Sequence, residues 1–273
     1  MDKGYADTVR LLLTVAPEVF ANDIFAMKGG TAINLFVQDM PRLSVDIDVV
    51  FQPRQMPRDE AVAAIDAELA AIGQRVASLG LRARRLRGAD AIDTKLIVEF
   101  DAPILARDEL YAGKLVAALD RQHPRDLFDV WQLYESGGLT DAMVECFVVY
   151  LAGHNPPLHE VLFGNDKDIA ADYERAFAGM TEVPCTLDTL RAARARLRLE
   201  LPHPLTAMHR QFLSGLVRAE PDWSLMQYPH AAELPALRWK LANLETFRKR
   251  RPADFQAQAE ALDAGLNRVG ALR

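Results

Sequence analysis

Asp46 and Asp48 are the residues at which chemistry could begin. They lie in the stretch KGGTAINLFVQDMPRLSVDIDVVF, residues 28–51, where an Asp-Ile-Asp interrupts an otherwise apolar run. A strand's period of two places Leu43, Val45 and Ile47 on one face and Ser44, Asp46 and Asp48 on the other. Two carboxylates side by side repel each other, and a divalent cation is the simplest compensation. Mg2+ takes oxygen ligands and is commonly held by one or two carboxylates together with substrate phosphates. Gly29, Gly30 and Thr31 supply the other half. A glycine turn between strand and helix lets a phosphate approach bare backbone N–H groups, where the helix dipole favours an anion. The stretch thus offers a phosphate cradle and a metal clamp joined by one helix.

A second constellation lies in DELYAGKLVAALDRQHPRDLFDVWQLY, residues 108–134. An unbroken helix would carry Lys114, Arg121, Arg125 and Asp129 on one face, but Pro124 splits it, so the spacing predicts two helices, the second opening near Pro124. Leu115, Leu119, Leu127, Val130, Trp131 and Tyr134 form the expected buried side. The polar remainder is Lys114, Arg121, Arg125, Asp126 and Asp129. It reads either as a salt-bridged surface, with Arg125 and Asp129 paired at i,i+4, or as a triphosphate grip of Lys and Arg oriented by Asp.

The elements that must position these residues follow from periodicity and breakers. Helices are expected at 5–20, at 31–40 with Thr31 as N-cap, and at 58–79 with Gly80 as stop. Strands are expected at 24–30, at 43–51, in LRARRLRG and at 93–101. Beyond about residue 108 the pattern is helical almost throughout, punctuated by Pro and Gly. The fold class read from this is α+β, a sheet domain over 1–107 followed by a mainly helical domain over 108–273. Half the 273 residues are apolar and the net charge is −6, so any nucleic-acid contact must come from local basic patches. Three such patches stand out: Arg82, Arg84, Arg85 and Arg87; Arg191, Arg194, Arg196 and Arg198; and ETFRKRRP, residues 245–252. Cys146 and Cys185 are the only cysteines, without metal-site spacing. With no signal-like leader and no membrane-length apolar run, a soluble cytoplasmic protein is expected. No nucleophile-elbow or dinucleotide fingerprint appears.

GG-[ST], a helix, then a strand with [ST]-x-D-x-D resembles the nucleotidyltransferase signature of the DNA polymerase β superfamily. Its members transfer a nucleoside monophosphate from an NTP with metal assistance. Such sites usually need a third carboxylate on a neighbouring strand; KLIVEFD offers Glu99 as first choice and Asp101 as second. Adding KLVAALDRQHPRDLFDVWQLY narrows the likeness to the AbiEii/AbiGii-type, MenT-like nucleotidyltransferase toxins. The matching positions are Gly29, Gly30, Thr31, Arg42, Ser44, Asp46, Asp48, Lys114, Arg125, Asp126 and Asp129, within roughly residues 24–134. The resemblance implies a polymerase-β-like nucleotidyltransferase domain, with the helical domain completing the active site and binding the acceptor. It implies Asp46 and Asp48 as Mg2+ ligands, with Glu99 the added one, and Gly29, Gly30, Thr31, Ser44 and Arg125 against the NTP, to which the triphosphate-grip reading adds Arg121. Lys114 and an Asp of the RDxxD run, Asp129 before Asp126, would complete the catalytic set. It also implies RNA, above all the 3′ end of tRNA, as acceptor, blocking aminoacylation. A cognate antitoxin, kinase-like or of transcriptional-regulator type, is implied as partner, with Ser44 the residue silenced by phosphorylation. Nucleotidylation of a protein hydroxyl and a nucleotide-sensing module are the competing readings.

Overall fold

Leu12, Leu13 and Ala16 fall on one stripe of a helix, and α1 (Lys3–Val19) buries all three. The computed structural model describes residues 3–38, 41–42, 46–81, 83, 104–181 and 183–270. The chain divides into two units, Met1–Ala106 and Arg107–Arg273.

In the first unit, β1 (Phe25–Lys28) pairs antiparallel with β2 (Asp48–Phe51), with Phe25 opposite Phe51, Met27 opposite Val49 and Lys28 opposite Asp48. On the other side of β1, Ile104 makes a parallel bridge to Met27, and the Leu105 N–H donates to the Met27 carbonyl at 3.3 Å. One sheet face is apolar: Phe25 and Phe51 stack edge to face at 6.5 Å, and Ile47, just before β2, packs with Leu35 against Leu12 and Leu13. The chain leaves β1 through α2 (Gly29–Ala32), which passes directly into a π-helical turn over Ile33–Val37. The following helix, α3 (Arg58–Ser78), carries Asp59 and Glu60 in its first turn and is followed by Gly80 at φ 78°. Arg75 ties α3 to the end of α1, donating to the Glu18 carbonyl at 2.8 and 3.0 Å and to Glu68 at 2.6 Å.

Two sequence expectations are corrected here. The helix expected at 31–40 begins at Gly29, and Lys28 rather than Thr31 occupies the N-cap position. The left-handed Gly29, φ 82°, turns the chain sharply enough for helical hydrogen bonds to begin at once; the Ile33 N–H already reaches the Gly29 and Gly30 carbonyls. The strand expected at 43–51 joins the ladder only at Asp48, because its partner β1 ends at Lys28, opposite Asp48. Residues 43–45 lie outside the described residues. So do the strands expected at 81–88 and 93–101, apart from Leu81 and Ala83.

The second unit is helical. Its helices are α4 (Arg107–Asp120), α5 (Pro124–Glu135), α6 (Asp141–Ala152), α7 (Leu158–Phe163), α8 (Ala170–Ala176), α9 (Leu187–Glu200), α10 (Ala207–Leu216), α11 (Pro235–Arg250) and α12 (Pro252–Gly270). Thr140, Thr186 and Thr206 cap α6, α9 and α10, each hydroxyl accepting from the backbone N–H three residues on. Pro124 and Pro235 open α5 and α11 at the first turn, where a missing N–H costs nothing. Tyr111, Leu115, Phe128, Phe147 and Leu151 fill the core where α4 meets α5 and α6. Glu145 of α6, also buried, accepts from His209 Nε2 on α10 at 2.7 Å and from the Gln227 N–H at 2.6 Å. Lys240 of α11 donates to the His154 and Asn155 carbonyls at 2.7 and 3.0 Å, fastening α11 to the loop after α6. Among the described residues no helix is long and apolar enough to cross a membrane.

Candidate active site

The glycine turn and the carboxylate strand touch. A Cβ on Gly29 would lie 2.2 Å from Asp48 Oδ2 and 3.0 Å from its Cβ and Cγ, so the Asp48 carboxylate rests against the bare Cα of Gly29. Asp46 and Asp48 are exposed, while Ile47 between them is half-buried against Leu12 and Leu13. The period of two expected from sequence is therefore present through Asp48, with the apolar residue holding the two acids outward. Gly30 and Thr31 are buried. Asn34, also fully buried, donates from Nδ2 to the Gly30 carbonyl at 2.7 Å and accepts from the Arg42 N–H on Oδ1 at 3.4 Å. One amide thereby links the glycine turn to the segment that leads to the acids. Sequence reasoning passed over Asn34; its signal was a polar residue four positions after Gly30 on an otherwise apolar helix.

Asp46 and Asp48 offer exposed oxygen donors with no histidine or thiolate beside them, a donor set that fits a hard cation such as Mg2+. Among the described residues no group of three or more His, Cys, Asp and Glu is placed to hold a metal ion. Glu99 and Asp101, the candidates for a third carboxylate, lie outside the described residues, as does Ser44.

In the second unit the residues of the RDxxD run form one buried network. Lys114 Nζ on α4 reaches Asp126 Oδ1 and Asp129 Oδ2 on α5, both at 3.0 Å. Lys114 is 7% exposed and Asp129 0%. Asp126 in turn holds the Arg121 guanidinium by two bonds, Nε to Oδ2 at 3.1 Å and Nη2 to Oδ1 at 2.9 Å. Burial pushes the Asp126 carboxyl upward, yet Lys114 and Arg121 outweigh it and hold the group below the usual carboxylate range. The Arg121 side chain is 62% exposed, so the buried acid presents an oriented guanidinium to solvent. Arg125 is half-buried. Its N–H donates to Nδ1 of His123, which caps α5; burial and the nearby Arg125 charge lower the His123 pKa. Asp126 and Asp129, open alternatives in the sequence, thus share the same lysine.

The α9 arginines have structural occupations. Arg194 is buried and donates from Nη1 to Gln122 at 3.0 Å and to the Lys167 carbonyl at 2.6 Å; Arg198 pairs with Asp166 at 2.8 Å. Arg191 and Arg196 pair on the surface with Asp188 and Glu200, and Arg196 also lies over the Tyr134 ring at 4.1 Å. This patch holds the 165–167 loop and the α4–α5 turn together. Arg82, Arg84, Arg85 and Arg87 lie outside the described residues. At the end of α11, Arg248 pairs with Glu220 and Arg251 with Asp254, whereas Lys249 and Arg250 are exposed.

Compared with known proteins, the chain matches a family model described as the nucleotidyl transferase AbiEii toxin of a type IV toxin–antitoxin system, over residues 10–89 and 83–243. No curated protein and no solved structure matches it.

Proposed function

The chain belongs to the AbiEii family of nucleotidyl transferase toxins, and from that premise we propose an Mg2+-dependent transferase that moves a nucleoside monophosphate from an NTP onto RNA. The acceptor in this proposal is the 3′ end of tRNA, whose extension blocks aminoacylation. The polymerase-β-like layout of the first unit belongs to the same proposal. The observation that supports it most is the contact of the Asp48 carboxylate with Gly29, which sets that acid at the lip of the glycine turn. Asp46 and Asp48 would hold Mg2+, with Glu99 or Asp101 as the third carboxylate; the cation would supply charge neutralisation on the triphosphate and on the departing pyrophosphate. Gly29, Gly30 and Thr31 take phosphate through backbone N–H groups. Arg121, oriented by Asp126, and Arg125 add positive charge for the β and γ groups. Lys114, clamped between Asp126 and Asp129, holds that acid pair in place. RNA contact is assigned to the exposed Lys249 and Arg250 rather than to the engaged α9 arginines. Ser44 is the point at which a kinase-like antitoxin would silence the enzyme, because a phosphate beside Asp46 and Asp48 competes for the cation. An antitoxin of transcriptional-regulator type would instead act on expression.

The test incubates purified protein with total tRNA, Mg2+ and each labelled NTP in turn, beside Asp46→Ala. Label in tRNA that disappears in the variant is the expected result. Label on protein alone would replace the RNA acceptor by a protein hydroxyl, and full transfer by Asp46→Ala would remove the metal assignment.

A further inference from the structure

Lys28 is the only polar residue of β1, whose other three positions, Phe25, Ala26 and Met27, are buried. It ends the strand directly opposite Asp48. Directly opposed residues of an antiparallel pair project from the same face, with Cβ atoms about 4.5–5.5 Å apart. An ammonium and a carboxylate so placed would ordinarily pair. Among the described residues they do not: no ion pair or side-chain hydrogen bond of Lys28 is formed, and the Asp48 carboxylate lies against Gly29 instead. Lys28 is also half-buried, so its charge is partly withdrawn from water without a protein anion to compensate. The residue after it is the left-handed Gly29, φ 82°. A cation without a partner among the described residues therefore shares a sheet face with Asp48, one residue before the sharp turn.

We propose that Lys28 is a phosphate-binding residue, its ammonium taking the polyphosphate of the nucleotide on the face that carries Asp48. The proposal rests on the nucleotidyl-transfer reading and adds to it a residue that neither motif spacing nor the RDxxD run points to. An exposed acid pair by itself repels a polyanion, and Lys28 supplies a fixed positive charge at that face. As a compact, strongly hydrated point charge it binds phosphate without demanding a fixed fork geometry.

The test compares wild type with Lys28→Met and Lys28→Arg, using equilibrium binding of inorganic tripolyphosphate with Mg2+, the KM and kcat for NTP, and thermal unfolding. Loss of one charge-assisted contact weakens tripolyphosphate binding in Lys28→Met by about tenfold or more. KM for NTP rises by a similar factor, kcat changes less, and Lys28→Arg regains most of the affinity. Thermal stability is retained, since no ion pair is lost. Unchanged tripolyphosphate affinity in Lys28→Met overturns the assignment. So does a loss that Lys28→Arg fails to recover, which would mark a packing role, and so does a wild type that binds no tripolyphosphate. The two proposals fail separately: wild type that binds tripolyphosphate through Lys28 but labels no RNA removes the acceptor and leaves Lys28 in place.

Discussion

Gly29→Ala tests whether the glycine turn serves Asp48. The substitution does two things at once. It places a side chain at φ 82°, and it puts a Cβ 2.2 Å from Asp48 Oδ2. Gly80 separates the two effects, because it lies in the same unit at φ 78° with nothing within 4 Å of the point where a Cβ would stand. Gly80→Ala therefore carries the backbone strain alone, about 1–2 kcal/mol. For a chain of this size that lowers the melting temperature by about 2–4 °C per kcal/mol. Gly29→Ala adds the steric conflict, relieved only by moving the Asp48 carboxylate by about 1 Å, and a displacement of that size at a reacting centre reduces turnover about a hundredfold. The assay is labelled-NMP transfer at saturating NTP across an Mg2+ titration, with thermal unfolding of both variants in parallel. Expected are a small stability loss in both, near-normal transfer in Gly80→Ala, and in Gly29→Ala roughly hundredfold slower transfer with a raised Mg2+ requirement. Equal transfer by the two variants would refute the reasoning, since it would mean that the Asp48 position does not depend on the missing Cβ.

Three further outcomes follow from the same geometry. Lys114→Met leaves Asp126 and Asp129 without their shared cation and destabilises the protein by about 3–5 kcal/mol; combined with Asp129→Asn the loss is smaller, as a denaturant double-mutant cycle will register. Asp126 is held below its ordinary value of 3.8, so its contribution to stability is complete above that pH and disappears as pH falls toward the depressed folded-state value. Urea midpoints, followed from about pH 5 downward, should therefore fall less steeply in Asp126→Asn than in wild type. Asn34→Ala removes the bond to the Gly30 carbonyl and costs about 1–3 kcal/mol; a chemical-denaturation midpoint that does not move would show that this amide holds nothing.

Where local rules govern, the sequence was readable. The helix expected at 58–79 is Arg58–Ser78, because its acidic first turn and Gly80 act through neighbouring residues only. Pro124 marks the start of α5 for the same reason. The helix after the glycines was misplaced because its start depends on a left-handed φ at Gly29, which composition does not reveal. The same holds at the candidate site. Alternation was enough to turn Asp46 and Asp48 outward, but contact between Asp48 and Gly29 depends on strand register. Helical spacing offered partners within α5 only, whereas the reach of Lys114 on α4 to Asp126 and Asp129 depends on how two helices pack. Arg194 and Arg198 looked like an exposed basic stripe because Gln122 and Asp166, which engage them, are distant in sequence.

The two sets of candidate residues are held by different physics, and that decides what mutation of each can prove. In the second unit Lys114 pairs with Asp126 and Asp129, and Arg121 with Asp126, around a buried centre. Removing any buried member leaves an uncompensated charge, so lost activity there reports first on folding. Arg121, largely in solvent, is the member whose substitution tests the proposed contact with substrate. In the first unit Asp46 and Asp48 are exposed, and their orientation comes from Ile47 on the core and from the absence of a Cβ at Gly29. Neutralising Asp48 removes like-charge repulsion at an exposed site and leaves the packing of Ile47 untouched. Asp48→Asn is therefore expected to fold as stably as wild type, and loss of transfer in this variant can be assigned to chemistry. Full unfolding of Asp48→Asn at the temperature where wild type is folded would show that this acid is structural, and the cation-binding role would then have to be placed elsewhere.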